Sequence, residues 1–350
     1  MEHRRLDAVD GWRALCVLGV ILAHLSDQSS IGFTGPPAGL LQTLFRPLLP
    51  EMGNNGVTIF FVISGFVIVR SLLQEEREFG GLSLKGFYAR RTFRIVPPIV
   101  LYLSVILACA AFGLVAVDPT IFRVLTFTCN LPDANCGGIL GAHTWSLSVE
   151  EQFYLFAPLV FSSFRSARGK VIAGLCAGLV AVLLVTQVLN LSGPLASLRN
   201  FLPISAGMLC ALNEHRLRPR LAHGGSFTLL LGVASLFVVG RLMDTRLGAI
   251  FFVVQIAIVC FCLMHSAFAN SAAARALAWP PLVQVGRASY GIYLWQQLAT
   301  YPFPGAGPGF YLVAVVACVA VALVLFRFVE TPLIRIGRNL SWREPMPLPA

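Results

Sequence analysis

Apolar positions in this chain run unbroken for stretches such as 310–326, and polar residues gather in the short segments between them. About twenty apolar residues carry a helix across a bilayer. Runs of that kind predict spans at 12–28, 55–73, 95–115, 145–163, 171–190, 200–213, 226–240, 247–265, 284–301 and 310–329, the sixth and seventh being short. The expected fold is an all-α membrane protein, a polytopic bundle of about ten transmembrane helices. It forms one domain over residues 1–340, and the Pro-rich stretch 341–350 reads as a short disordered tail. The first run is not a cleavable signal peptide, because acidic residues stand at its start and no small-residue cleavage site follows.

Composition agrees with this pattern. Hydrophobic residues make up 57% of the chain, charged ones 12%, and the mean hydropathy is +0.77, which excludes an ordinary soluble domain. The net charge of +10 invites a nucleic-acid reading, but its distribution argues against one. With the N-terminus inside, 21 of the 26 Lys and Arg residues fall on cytoplasmic segments and 5 on outer ones. The positive-inside rule explains that split. Both termini are therefore expected in the cytoplasm of a bacterial cell, with the inner membrane's lipid as partner and no nucleic acid. Most of the nine cysteines stand singly in apolar runs, as small buried hydrophobes do. Cys129 and Cys136 bracket a polar loop on the outer side, where a disulfide and two reduced thiols are both open readings. With no CxxC and no His–Cys spacing, no metal is expected.

Candidate chemistry begins in the first span. Arg13 and His24 are eleven residues apart, which closes to within about 20° of one helix face at roughly 16 Å separation. Ionisable groups inside a span are costly and mark substrate or proton paths. Asp10, three residues before Arg13, could instead pair with it across one turn. Ser64 and Gly65 read as a close-packing pair in an apolar helix. Arg90, Arg91 and Arg94 crowd the start of the third span, with Arg90 and Arg94 as i,i+4 neighbours. Cations there oppose the helix dipole unless an anion offsets them, and arginine forks at helix starts suit phosphates. In the stretch 143–154, Ser148 and Glu151 have capping-box spacing. The adjacent Glu150 and Glu151 exceed what a cap requires, and one could orient an imidazole. Glu330, near the end of the last span, reads as an ion-pair partner of Arg327.

Taken in order, these segments resemble the acyltransferase-3 family of integral-membrane acyltransferases. The resemblance rests on 10–14 with His24, the stretch 60–66, the Arg90/Arg91/Arg94 cluster, 145–154 and 290–295. It implies ten membrane helices and transfer of an acyl group, usually acetyl from acetyl-CoA, to a hydroxyl. Acceptors are typically cell-surface or lipid-linked sugars and sometimes macrolides. On this reading CoA phosphates are expected to meet Arg90, Arg91 and Arg94. His24 then acts as general base or transient acyl carrier, with Arg13, Glu150 and Glu151 as the other catalytic residues. Asp10, Trp145, Tyr154 and Tyr293 are the residues expected to touch substrate. Many members carry histidine where this chain has Gln296, so no acid–base role is placed there. The C-terminal hydrolase-like domain of some members is not expected. Two alternatives stand beside this reading: acylation of a macrolide-like acceptor at the cytoplasmic side, and a glycan transporter or flippase. The latter would show broken spans in matching halves, which the sequence does not.

Overall fold

The computed structural model describes residues 6–26, 48–131, 135–191, 193, 197–221, 225–243 and 245–341. The expected tail from 342 onward, and the outer segment through 47, lie outside the described residues. Among the described residues there is no strand. The helices that matter here are α1 (Asp7–Ser26), α2 (Leu49–Phe79), α3 (Leu84–Ala111), α4 (Trp145–Ser163), α5 (Arg168–Val188) and α6 (Phe201–Leu212). They are followed by α7 (Ser226–Arg241), α8 (Gly248–Phe268), α9 (Pro280–Arg287), α10 (Ser289–Ala299) and α11 (Pro308–Leu325). A π-helical turn at Phe326–Glu330 then leads into α12 (Thr331–Leu340).

Six of these helices are long and apolar enough to cross a membrane, and α11 to α12 counts as one of them. Glu214–Leu221 and α7 make a seventh if taken as one bent span. The other predicted runs are helical too, but each falls short for a physical reason. The pair Glu150 and Glu151 lowers the hydropathy of α4, α6 spans only 12 residues, and the ninth run breaks at Ala288 into α9 and α10.

The centre of the bundle is α1 against α2. Of their span windows 61% and 67% is buried, against 22% for α5 and 11% for α11–α12, which therefore present their apolar faces outward to lipid. Close approach at the centre depends on glycine. A Cβ on Gly65 would strike the Ile204 carbonyl oxygen of α6, and one on Gly207 would strike that of Val62 in α2. The two backbones thus lie against each other reciprocally, as small residues allow between membrane helices. Trp12 Nε1 donates to Ser266 Oγ at 2.7 Å and ties α1 to α8.

The two ends of the bundle differ chemically. Ion pairs gather at one: Arg70 with Glu214, Arg90 with Glu75, Arg165 and Arg168 with Glu76, and Arg287 with Asp7 and Asp10. At the other end Cys129 and Cys136 form a disulfide, closing the alternative left open above. Cys129 N donates to Ser148 Oγ at 3.1 Å, which fastens that loop to α4. Nearby, hydrogen bonds from Thr120 hold the Asp118 carboxyl below the ordinary carboxylate range.

Candidate active site

A cavity opens between α1, α2, α3, α4 and α10. Three guanidiniums line it, from Arg13, Arg91 and Arg94, opposite the carboxylates of Glu150 and Glu151. Local sequence explains their convergence. Arg91 and Arg94 are i,i+3 on α3 and so share a face. Glu150 and Tyr154 are i,i+4 on α4, and the tyrosine hydroxyl donates to Glu150 Oε1. Ser64, from the middle of α2, donates to the same carboxylate oxygen. The Arg91 guanidinium lies over the Tyr154 ring at 4.6 Å. Two polar atoms here are buried without a hydrogen-bond partner among the described residues, Arg13 Nε and Glu151 Oε1. Buried polar groups are normally satisfied, so an unpaired donor and acceptor in one cavity suit a polar ligand.

His24 does not line this cavity. It sits near the far end of α1, roughly 16 Å along the axis from Arg13. Its Nδ1 is 2.9 Å from Gln296 Oε1 of α10. Tyr293, one turn before Gln296, is among the residues that line the cavity. Its hydroxyl donates to the His143 carbonyl oxygen and also pairs with Ser146 Oγ, both at 2.7 Å. Its ring packs on Phe60 at 6.4 Å and on His143 at 5.4 Å. His143 is buried, and neither ring nitrogen makes a hydrogen bond of ordinary geometry.

Of the residues expected from the sequence, the cavity gathers Arg13, Arg91, Arg94, Glu150, Glu151, Tyr154 and Tyr293. It does not gather Arg90, whose guanidinium pairs with Glu75 at the turn between α2 and α3. Asp10 pairs with Arg287 of α9, a partner across the bundle, and also acts on Arg13 electrostatically. Trp145 packs edge-to-face on Phe61 at 6.1 Å and is not among the residues that line the cavity. The capping-box reading of Ser148 and Glu151 is corrected as well. Helix α4 starts one turn earlier, at Trp145 after Thr144, which frees Glu151 for the cavity and leaves Ser148 to hold the disulfide loop. Glu330 is buried with its carboxylate against Gly291 of α10, turned inward by the π-helical turn, and its expected pairing with Arg327 is not made. Sequence reasoning missed Ser64, Tyr290, Ser146 and Gln296. A hydroxyl or amide inside an otherwise apolar helix was the available signal.

Residues 6–327 match the family model described as an acyltransferase domain, acyltransferase family 3. The chain belongs to the acyltransferase-3 family. O-acetyltransferase OatA of Staphylococcus aureus (strain NCTC 8325 / PS 47) is 25% identical over 385 residues, covering 95% of this chain and 58% of the relative. A protein of Staphylococcus aureus (strain MRSA252), provisionally named an O-acetyltransferase, is 24% identical over 383 residues, covering 98% of this chain and 60% of the relative. The acyltransferase-3 chain thus spans about three fifths of the length of the curated relatives it matches. No solved structure matches it. Arg13 and His24 lie at two depths of one helix, α1. No group of three or more His, Cys, Asp or Glu side chains fit to hold a metal occurs among the described residues.

Proposed function

We propose that this protein is a membrane-bound O-acyltransferase that moves an acyl group, acetyl in the first instance, from cytosolic acyl-CoA to a hydroxyl of a cell-surface or lipid-linked sugar. The observation that carries the reading is the cavity in which Arg13, Arg91 and Arg94 outnumber Glu150 and Glu151, with His24 further along the same helix as Arg13. A surplus of guanidinium charge in one cavity suits the phosphates of CoA. A pantetheine arm of about 20 Å covers the roughly 16 Å from Arg13 to His24. The thioester then passes Tyr293 and meets the acceptor near the histidine. Glu150, held by Ser64 and Tyr154, orients the arginine face, and Glu151 offers an acceptor to the incoming donor.

Ten passes with both termini in the cytoplasm fit the alternation of helices, the short ones included. The inner end is the one with the ion pairs, and the disulfide end faces an oxidising compartment, where such bonds persist. An impermeant maleimide added to intact cells is therefore expected to label Cys129 and Cys136 only after reduction. Labelling that requires permeabilised cells would invert the orientation.

The function is tested by transfer of labelled acetyl from acetyl-CoA to extracted glycans and glycolipids, using inside-out vesicles. Label in a glycan fraction is the expected result. Label in a soluble macrolide alone would move the acceptor to the cytoplasmic side, and solute uptake without acyl-CoA consumption would replace the enzyme by a transporter.

A further inference from the structure

The contact between His24 and Gln296 decides more than the placement of a ring. Gln296 is fully buried, and its Oε1 faces His24 Nδ1 at 2.9 Å. On the other side of the same amide, Nε2 donates to Gln297 Oε1 at 3.2 Å. Thr300 Oγ1 donates to the Gln296 carbonyl oxygen at 3.0 Å and secures that turn of α10. An amide oxygen can only accept a hydrogen bond. The proton of the contact therefore sits on Nδ1, and in the neutral ring the free lone pair is on Nε2.

We propose that Gln296 is a positioning residue that fixes this tautomer of His24, with its proton on Nδ1 and Nε2 bare toward the acceptor hydroxyl. The inference rests on reading His24 as the group that handles the acceptor's proton. In that step Nε2 takes the hydroxyl proton while the acceptor oxygen bonds to the thioester carbonyl carbon. The C–S bond breaks, CoA leaves as the thiolate, and the thiolate recovers the proton from Nε2. His24 ends in its starting tautomer, and Gln296 is unchanged. A neutral acceptor suits this task within a span. A carboxylate in its place would orient the ring equally well but would bring a second costly charge into the bilayer. Gln296 needs no acid–base capacity of its own, so its difference from the family's frequent histidine leaves this role intact.

Two readouts on the full-length protein in lipid test the proposal. The first is solid-state 15N NMR of histidine-labelled protein at pH 8, where an ordinary imidazole is neutral, with the His24 signals assigned by their loss in His24→Ala. The expected wild-type spectrum has Nδ1 protonated and Nε2 bare. Gln296→Leu is expected to bring in an Nε2-protonated population, which Gln296→Glu, still an acceptor, does not. The second readout is acetyl transfer. Gln296→Leu is expected to lower kcat by about 10–100-fold, by analogy with the loss when outer partners of metal-bound histidines are removed. KM for acetyl-CoA should stay within about twofold, as no contact to the cavity is lost, and Gln296→Glu should restore most of kcat. A wild-type ring protonated on Nε2 would overturn the proposal. So would a Gln296→Leu protein with unchanged spectrum and kcat, or equal kcat losses in the Leu and Glu variants. The expected spectra without transfer by the wild type from any acyl-CoA would support the tautomer assignment and sink the enzymatic reading.

Discussion

His24→Ala is expected to lower kcat for acetyl transfer by roughly 10²–10⁴-fold, the usual contribution of a positioned acid–base group. The KM for acetyl-CoA should change by less than about twofold, because a group that acts only on the reacting atoms leaves ground-state binding intact. The geometry supports that split. His24 lies outside the cavity that holds Arg13, Arg91 and Arg94, at roughly 16 Å along α1 from the first of them. The variant also leaves the buried Gln296 oxygen without its partner, at a cost of about 1–3 kcal/mol. His24→Gln, which keeps a donor at this position, separates that structural cost from lost chemistry. The Ala and Gln variants should be equally inactive, with the Gln variant closer to wild type in thermal stability. Transfer within about tenfold of wild type by either would remove His24 from the mechanism. If His24 instead carries the acyl group, wild-type protein incubated with acetyl-CoA and no acceptor should show a mass increase of one acetyl on the peptide containing it.

The register of α1 was legible in the sequence, because a helix repeats every 3.6 residues whatever it packs against. Arg13 and His24 could therefore be put on one face at two depths before any partner was known. Which connecting segments are rich in Arg and Lys was legible too, since it depends only on local composition. Contacts across the bundle were not. Asp10 is three residues from Arg13 in sequence, yet it is claimed by Arg287, 277 positions away. Ser64 stands in an apolar run, where nothing local separates a packing serine from one that donates to Glu150. The start of α4 is a further case. Ser148 and Glu151 have the spacing of a cap, but the helix extends back to Trp145, and only the disulfide loop and Tyr293 reveal why. Gln296 was set aside for lacking acid–base chemistry. Its use follows from the ring it faces, which lies 272 residues away in the chain.

The same distinction decides between the three arginines of α3. Arg91→Ala and Arg94→Ala are each expected to raise KM for acetyl-CoA by about 10–100-fold, as hydrogen bonds to charged groups are worth about 1.5–3 kcal/mol. Their effect on kcat should be small if they hold the donor equally in the ground and transition states. Arg90→Ala should behave differently. Sequence spacing pairs Arg90 with Arg94, but Glu75 takes the Arg90 guanidinium, and the same carboxylate accepts from Ser83 N just before α3 begins. Glu75 is 8% exposed, so losing Arg90 strands a nearly buried charge at the α2–α3 turn. The expected result is a loss of about 1–3 kcal/mol of stability, read as a lower melting temperature in detergent, with KM within about twofold. Salt offers a second axis. Raising ionic strength should weaken donor binding in wild type, and that dependence should flatten in the Arg91 and Arg94 variants but persist in the Arg90 variant. Equal KM effects at all three positions would restore the single cluster that the sequence suggests, with Glu75 releasing Arg90 when the donor arrives. No KM effect at Arg91 or Arg94 would move the phosphates out of this cavity.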